Sequence, residues 1–150
     1  MNRDDGSTDG PTLADPRAPR FGQSVTATGL LLGALTQRPF FVYAIGVILL
    51  VAVLSRWRLD VYAIVWTHLV IPVVGPPSER EPAPPHRFAK VLGATGATLS
   101  SVSLLAGYSG VGFGIALAVG ALAGLAAATG ICLGCRMYRQ VSFLRRRGIV

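Results

Sequence analysis

The chain has 150 residues, carries a formal net charge of +7, and is 51% hydrophobic by residue type. This length fits one domain, and a mean hydropathy of +0.53 is too high for an ordinary water-soluble one. The basic residues border apolar stretches, and no helix-turn-helix or zinc-finger spacing occurs, so we expect no nucleic-acid partner. Residues 1–19 are rich in aspartate, glycine and proline. We expect them to form a disordered tail rather than a signal peptide.

Four apolar segments predict membrane-spanning helices, because about 20 residues of helix cross the hydrocarbon core of a bilayer. They are residues 21–35, 40–54, 88–107 and 111–135. A charge and a proline in the sequence TQRP, residues 36–39, indicate a hairpin turn between the first two. The predicted fold class is therefore all-α, an integral membrane four-helix bundle of two transmembrane hairpins within residues 20–145.

The stretch 59–74 is also apolar, but the distribution of charge argues against a fifth span. With four spans, all fourteen lysine and arginine residues except Arg38 share one side, together with both termini and the basic tail 146–150. Because lysine and arginine favour the cytoplasmic side, we expect both termini in the cytoplasm at the inner (plasma) membrane. Residues 59–74 then lie in the membrane interface, followed by a proline-rich loop over residues 75–86.

A short internal repeat links the two predicted hairpins. The sequence RFGQSVTATGLLL, which starts at Arg20, aligns with RFAKVLGATGATL, which starts at Arg87, at an offset of 67 positions. A duplication predicts two hairpins of the same orientation, related by a pseudo-two-fold axis along the membrane normal. The alternative is that both helices simply begin with the same interfacial anchor, an arginine followed by a phenylalanine.

The chain has two cysteines, Cys132 and Cys135, at the end of the last predicted span. A C-x-x-C spacing facing the reducing cytoplasm favours a catalytic or relay dithiol over a structural disulfide. Arg136 and Arg139 favour the thiolate, whereas the carbonyl end of a helix disfavours it. Two alternatives remain open. The cysteines can be small packing residues, or metal ligands, although His68 and His86 are the only histidines.

Several motifs in fixed order resemble domain of unknown function 4395, a family of small bacterial multipass membrane proteins. They are Asp15-Pro-Arg-Ala-Pro-Arg-Phe21, Gly75-Pro-Pro77 with Glu79 and Glu81, Arg87-Phe88, and Cys132-Leu-Gly-Cys135 with Tyr138. The resemblance implies a four-helix membrane domain of unestablished activity. It also implies a thioredoxin-like or sulfurtransferase partner, because such proteins accompany the family.

Three functions follow from these features. The first is a membrane-embedded dithiol protein in thiol redox or sulfur relay with a cytoplasmic partner. The second is a subunit of a small-anion transporter, which would need a homo-oligomer because four short helices enclose little volume. The third is a non-catalytic scaffold whose basic tail, residues 139–148, binds anionic lipid. The sequence predicts no cofactor and contains no motif of a hydrolytic enzyme.

Overall fold

The computed structural model describes residues 13–79, 81–131 and 133–148, which are almost entirely helical. In chain order the elements are β1 (Leu13–Ala14), α1 (Arg17–Leu35), α2 (Pro39–Leu54), α3 (Val61–Val65), a π-helical turn (Trp66–Val70), α4 (Ile71–Val74), β2 (Glu81–Pro82), α5 (Ala83–Leu105), α6 (Ser109–Thr129) and α7 (Leu133–Arg146). The predicted all-α class is confirmed, since β1 and β2 form only a two-residue antiparallel pair.

The four longest helices form two hairpins. The turn between α1 and α2 has Gln37 in the left-handed region at φ 54°, and the Arg38 backbone N–H donates to the Gly33 carbonyl at 3.0 Å. Pro39 then begins α2, where its missing N–H costs nothing because the first turn of a helix has no intrahelical acceptor. Gly107 turns the chain between α5 and α6 at φ 89°. The predicted hairpin turn at residues 36–39 is therefore present.

Each of these four helices contacts two of the others. α1 packs on α2 and α6, and α5 packs on α2 and α6. Leu30, Val42, Ala97 and Ala116, one from each helix, are completely buried. Small residues let the backbones approach closely, as in membrane helix packing, and the buried Ser100 hydroxyl donates to the Gly112 carbonyl at 2.7 Å.

The segment between the hairpins is helical over residues 61–74 and contains a π-helical turn. Pro72 explains this turn, because proline has no N–H and its ring collides with the carbonyl four residues earlier in a regular α-helix. The wider turn avoids that collision, and the Ile71 N–H bonds instead to the Trp66 carbonyl. α3 packs on α1 through the buried Tyr62.

Three predicted boundaries are wrong. The predicted span 111–135 ends at Thr129, because Gly130 adopts a left-handed conformation at φ 70° and terminates α6. The loop predicted over 75–86 is shorter, because α5 begins at Ala83 and its prolines fall in the first turn, which tolerates them. The tail predicted over 1–19 includes helical residues, because α1 begins at Arg17, while residues 1–12 lie outside the described ranges.

Two helices are long and apolar enough to cross a membrane, His86–Leu105 and Ser109–Thr129. Only 17% and 22% of their apolar windows are buried, which is unlike the core helix of a soluble protein. Large apolar side chains instead cover the outer surface, with Leu105 75% and Leu54 73% exposed. This surface suggests a membrane protein, because water-soluble monomers rarely expose apolar patches of this extent.

Contacts within and between the two hairpins occur at equivalent positions. A Cβ on Gly29 of α1 would lie 2.5 Å from Ile45 of α2, and one on Gly96, 67 positions later, would lie 2.6 Å from Val119 of α6. A Cβ on Gly46 of α2 would meet Ser101 and Ala97 of α5, and one on Gly120 of α6 would meet Leu31 and Leu30 of α1. Gly46 and Gly120 are 74 positions apart, as are Ile45 and Val119, and Leu30 aligns with Ala97 at the offset of 67. The two hairpins therefore pack on each other in a reciprocal way, as a pseudo-two-fold axis requires.

The repeat extends beyond the hairpins. Phe21 packs on Trp66 with ring centroids 5.6 Å apart, and Phe88, its aligned residue, packs on Tyr138 of α7 at 5.8 Å, both pairs with tilted ring planes. The strands β1 and β2 precede the two hairpins and pair with each other. We name residues 17–74 the first copy and residues 83–146 the second copy. The segment α3 to α4 of the first copy thus corresponds to α7 of the second.

Candidate functional site

Cys135 lies at the start of α7 rather than at the end of a spanning helix. Cys135 is the third residue of α7, whose first residue is Leu133. Cys132 lies immediately before α7 in the sequence and outside the described residues. Arg136 and Arg139 follow in α7 and are exposed. The sequence-based placement at a helix C-terminus is therefore wrong, and its physical cause is the break at Gly130.

The position of Cys135 at the start of α7 reverses the sign of the helix dipole's effect on it. The first turn of a helix presents unsatisfied backbone N–H groups and a partial positive charge, which favour a thiolate. At the end of a helix, as predicted from the sequence, the helix dipole would oppose the effect of Arg136 and Arg139. Because Cys135 is the third residue of α7, the positive end of this helix and the charges of Arg136 and Arg139 have the same sign.

A small pocket of about 70 Å³ lies beside Gly130, which is two positions before Cys132 in the sequence. Its lining joins the start of α1, the start of α5 and the end of α6 through Pro16, Pro19, Arg20, Gln23, His86, Ala126 and Gly130. The Arg20 guanidinium lies against Gly130, in the space that a larger residue would fill with its Cβ.

A polar cluster joins α3 to α1 and α5, and the sequence analysis missed it. The Asp60 carboxylate accepts hydrogen bonds from the backbone N–H groups of Tyr62 at 3.2 Å and Ala63 at 3.4 Å, which caps α3. Its other oxygen pairs with the Lys90 ammonium, which also lies 5.2 Å from the Tyr62 ring centroid. An aspartate directly before the apolar run VYAIV is an N-cap signal that could have indicated this cluster.

Tyr62 also bonds to α1. Its hydroxyl is 3.0 Å from the Thr26 hydroxyl in a buried contact. Burial raises the pKa of Tyr62 above its ordinary value of 10.0, and the nearby Asp60 carboxylate raises it further, while the Thr26 hydrogen bond acts in the opposite direction. Tyr62 is therefore neutral at physiological pH.

A second cluster ties the start of α1 to the π-helical turn. One Asp15 oxygen accepts from the Arg17 backbone N–H at 2.9 Å, and the other accepts from the Trp66 indole N–H at 3.2 Å. Arg17 also reaches the Gly75 carbonyl at 3.3 Å. Partial burial opposes ionisation of Asp15, but the hydrogen bonds from Arg17 and Trp66 and the Arg17 charge outweigh it and lower the pKa below 3.8.

The two histidines lie in different places. The exposed His68 has its Nδ1 3.0 Å from the Ile64 carbonyl, within its own helical segment. His86 instead lines the pocket near the start of α5. Among the residues that the structure describes, no group of three histidine, cysteine, aspartate or glutamate side chains could hold a metal ion.

Comparison with known proteins gives one match. Residues 14–142, most of the chain, match the family described as Domain of unknown function (DUF4395). No curated protein and no solved structure matches the chain significantly. The family resemblance seen in the sequence motifs is confirmed.

Proposed function

We propose that this chain, which belongs to the DUF4395 family, is a multipass membrane protein whose Cys132 and Cys135 exchange thiols with a cytoplasmic thioredoxin-like or sulfurtransferase partner. The observation that supports this proposal is that α7 begins at Leu133, so that Cys135 lies in the first turn of a helix. Reactive dithiols of thioredoxin type use the same arrangement, because the helix end stabilises the thiolate.

The membrane part of the proposal is a bundle of α1, α2, α5 and α6. Contacts bring the start of α1, the end of α2, the start of α5 and the end of α6 to the same end of this bundle. Arg20 lies against Gly130, and the Arg87 guanidinium lies 5.8 Å from the Trp57 ring centroid. The other end carries the α1–α2 turn with Arg38. Basic residues thus concentrate at one end, which supports a cytoplasmic location for that end and for both termini.

α2, with 16 residues, is shorter than a full span of about 20 residues, and α1, with 19 residues, is close to that length. Local thinning of the bilayer or interfacial side chains would accommodate them. The exposed apolar surface of α2, including Val47 at 60% and Leu54 at 73%, supports contact with lipid. In this arrangement α3, α4 and α7 lie in the cytoplasmic interface, where cytosolic proteins can reach the start of α7.

The proposed chemistry is a dithiol–disulfide exchange. One cysteine thiolate attacks a sulfur of the partner disulfide, forms a mixed disulfide and releases a partner thiolate. The second cysteine thiolate then attacks the mixed disulfide and releases the other partner thiolate. The chain ends as a Cys132–Cys135 disulfide, and the partner gains two electrons and two protons. The reverse sequence reduces the chain. No other reactant is required.

Cysteine variants in intact cells test this function. We expect Cys132→Ser, Cys135→Ser and the double variant to accumulate in the membrane like the native chain. One single variant should trap a partner in a mixed disulfide that reductant releases. A membrane-permeant maleimide should label the native cysteines, whereas an impermeant one should label them only after the cells are opened. Labelling of the cysteines by the impermeant maleimide in intact cells would contradict the proposal. Normal function in the double cysteine variant would also contradict it.

A second candidate function is transport of a small anion. The reciprocal packing of two hairpins favours it, because membrane transporters often consist of such repeats. Uptake of labelled sulfate and thiosulfate into proteoliposomes tests it. Uptake above that of empty vesicles in the double cysteine variant would favour transport over thiol exchange.

A further inference from the structure

We infer that α7 is an interfacial helix that binds anionic phospholipids of the cytoplasmic leaflet through its arginines and places one apolar stripe at the acyl boundary. This inference goes beyond the proposed thiol exchange and rests only on the membrane location within that proposal. The basic tail singled out in the sequence, residues 139–148, belongs largely to α7, and the thiol exchange makes no use of most of it.

The contact between α7 and α5 fixes the level of α7 relative to the longest apolar helices. Tyr138 is half-buried and packs on Phe88, with ring centroids 5.8 Å apart. Phe88 is the third residue of the helix His86–Leu105, which is long and apolar enough to cross a membrane. α7 therefore lies beside the point at which α5 would enter the hydrocarbon, at the depth of the lipid headgroups.

α7 has an exposed apolar stripe along one side. Met137, Val141 and Leu144 follow one another at steps of four and three positions, which places them on the same side of the helix. They are between 38% and 50% exposed, whereas Tyr138 and Ser142, on a different side, are more buried. An apolar stripe on a helix at headgroup depth is typical of helices that lie in a membrane interface.

The remainder of this helix is strongly basic. Residues 136–147 contain five arginines and no acidic residue. Within the described part of the chain, none of these arginines pairs with a carboxylate. They are Arg136, Arg139, Arg145, Arg146 and Arg147. Their charge is therefore available for the phosphate groups of anionic lipids, which a bilayer presents as a continuous negative surface beside the apolar stripe.

The arginines differ in their position around the helix. The helical hydrogen bonding continues to Arg147, whose N–H donates to the carbonyl four residues earlier at 3.2 Å. With about 3.6 residues per turn, Arg145 and Arg147 fall on the two flanks of the apolar stripe, whereas Arg139 and Arg146 fall on the opposite side. A flanking arginine can lay its methylene groups along the apolar boundary and direct its guanidinium to a phosphate.

The corresponding segment of the first copy lacks this charge. Residues 61–74 contain no lysine or arginine, although they expose apolar side chains such as Leu69 and Val73. Both copies thus present an apolar surface at the same end of the bundle, but only α7 adds arginines to it. The preference for anionic headgroups therefore belongs to α7 and not to the apolar contact that both copies make.

A fluorescent label tests the depth of α7. In the full chain with Cys132→Ser and Cys135→Ser, one cysteine is introduced by Val141→Cys in the apolar stripe or by Arg139→Cys on the opposite side, and is labelled with bimane. The protein is placed in nanodiscs of phosphatidylcholine and phosphatidylglycerol in equal amounts. We expect aqueous iodide to quench the label at position 139 and to leave the label at position 141 protected. Equal quenching at the two positions would overturn the inference.

Spin-labelled lipids test the role of the arginines in the same cysteine-free chain. We expect phosphatidylglycerol to associate more strongly than phosphatidylcholine. Arg145→Gln with Arg147→Gln should lower the relative association constant by about fivefold, the contribution of one arginine near an anionic surface. The matched control, Arg139→Gln with Arg146→Gln, removes the same charge from the opposite side and should lower it less. Equal losses in the two double variants, or no preference in the parent chain, would overturn the inference.

The cysteine-free background separates this inference from the thiol exchange, because neither measurement depends on a reactive thiol. A chain that stays in solution without detergent and does not enter nanodiscs would contradict the membrane location, and with it both proposals. A chain that enters nanodiscs but leaves both labelled positions open to iodide would contradict the inference alone, while the thiol exchange would stand.

Discussion

Lys90 of α5 and Asp60 at the start of α3 form an ion pair between the two copies of the repeat. Asp60 is 8% exposed, and it caps a helix of the first copy while its partner belongs to the second. The pair therefore fixes the interfacial segment against the opposite hairpin. Because the pair joins the start of α5 to the start of α3, it explains why residues 61–74 follow the protein surface instead of extending away from it.

Breaking this pair should destabilise the protein. Asp60→Asn keeps a capping oxygen but leaves the Lys90 ammonium without its carboxylate, and we expect a loss of about 2 kcal/mol in the free energy of unfolding, because the pair is partly buried. Asp60→Ala also removes the cap and should cost about 1 kcal/mol more. Unfolding in detergent by increasing denaturant measures both.

The control for this prediction is the double variant Asp60→Asn with Lys90→Met. Removing both charges leaves no unpaired ion, so the double variant should recover part of the stability lost in Asp60→Asn. Stability losses that simply add in the double variant would show that the two side chains do not interact.

Asp15 should make the free energy of unfolding depend on pH in the acidic range. Because its pKa is lowered in the folded protein, Asp15 contributes stability above the ordinary value of 3.8, and this contribution is lost as the pH falls through the folded pKa. Asp15→Asn should lower the melting temperature in detergent at pH 7, by an amount equivalent to about 1 kcal/mol, because it weakens the bonds from Arg17 and Trp66.

The comparison across pH distinguishes this role from simple packing. The difference in melting temperature between Asp15→Asn and the native chain should shrink between pH 5 and pH 3. A difference that stays constant over this range would contradict a role for the Asp15 charge. The matched control is Glu79→Gln, which removes an exposed carboxylate from the loop between α4 and β2. It should change the melting temperature little at any of these pH values.

The equivalent packing within the two hairpins predicts equal loss of stability at equivalent glycines. Gly29→Ala and Gly96→Ala each place a methyl group at about 2.5 Å from a β-branched side chain, Ile45 or Val119. We expect each to destabilise the bundle by about 1–3 kcal/mol through overpacking. Gly114→Ala in α6 meets no atom within 4 Å and should leave stability unchanged or slightly increased. Denaturant unfolding of the three variants checks this, and a loss at only one of the two sites would argue against equivalent packing.

The helical class and the turn at residues 36–38 followed from the sequence, because long apolar runs and a charged proline-containing turn have local causes. The repeat also left a local trace, in the aligned RF and ATG motifs that place Gly29 and Gly96 at the same contact. The sequence analysis placed the cysteines at the wrong end of a helix, however. Gly130 lies among other glycines in an apolar run, and composition does not show which of them adopts a left-handed conformation.

The Asp60–Lys90 pair was out of reach for a different reason. The two residues are 30 positions apart and belong to different copies, and pattern analysis assigns residues to elements without showing which side chains meet. The sequence indicated the chemistry of the C-x-x-C pair, but its electrostatic setting depends on where one helix ends and the next begins. That boundary is set by a single backbone conformation.

Gly130 should therefore control the geometry of the cysteine pair. Its φ of 70° is unfavourable for residues with a side chain, and Gly130→Val should cost about 1–2 kcal/mol. Gly130→Asn should cost less, because asparagine tolerates this conformation.

The Arg20 guanidinium also lies where the new Cβ would go, but it is the end of a flexible side chain and can rotate away. Combining Gly130→Val with Arg20→Ala should consequently restore little stability. Denaturant unfolding gives these differences, and alkylation of Cys132 in the same variants reports on the site. Full recovery in the double variant would show that the contact with Arg20, and not the left-handed backbone, requires glycine at this position.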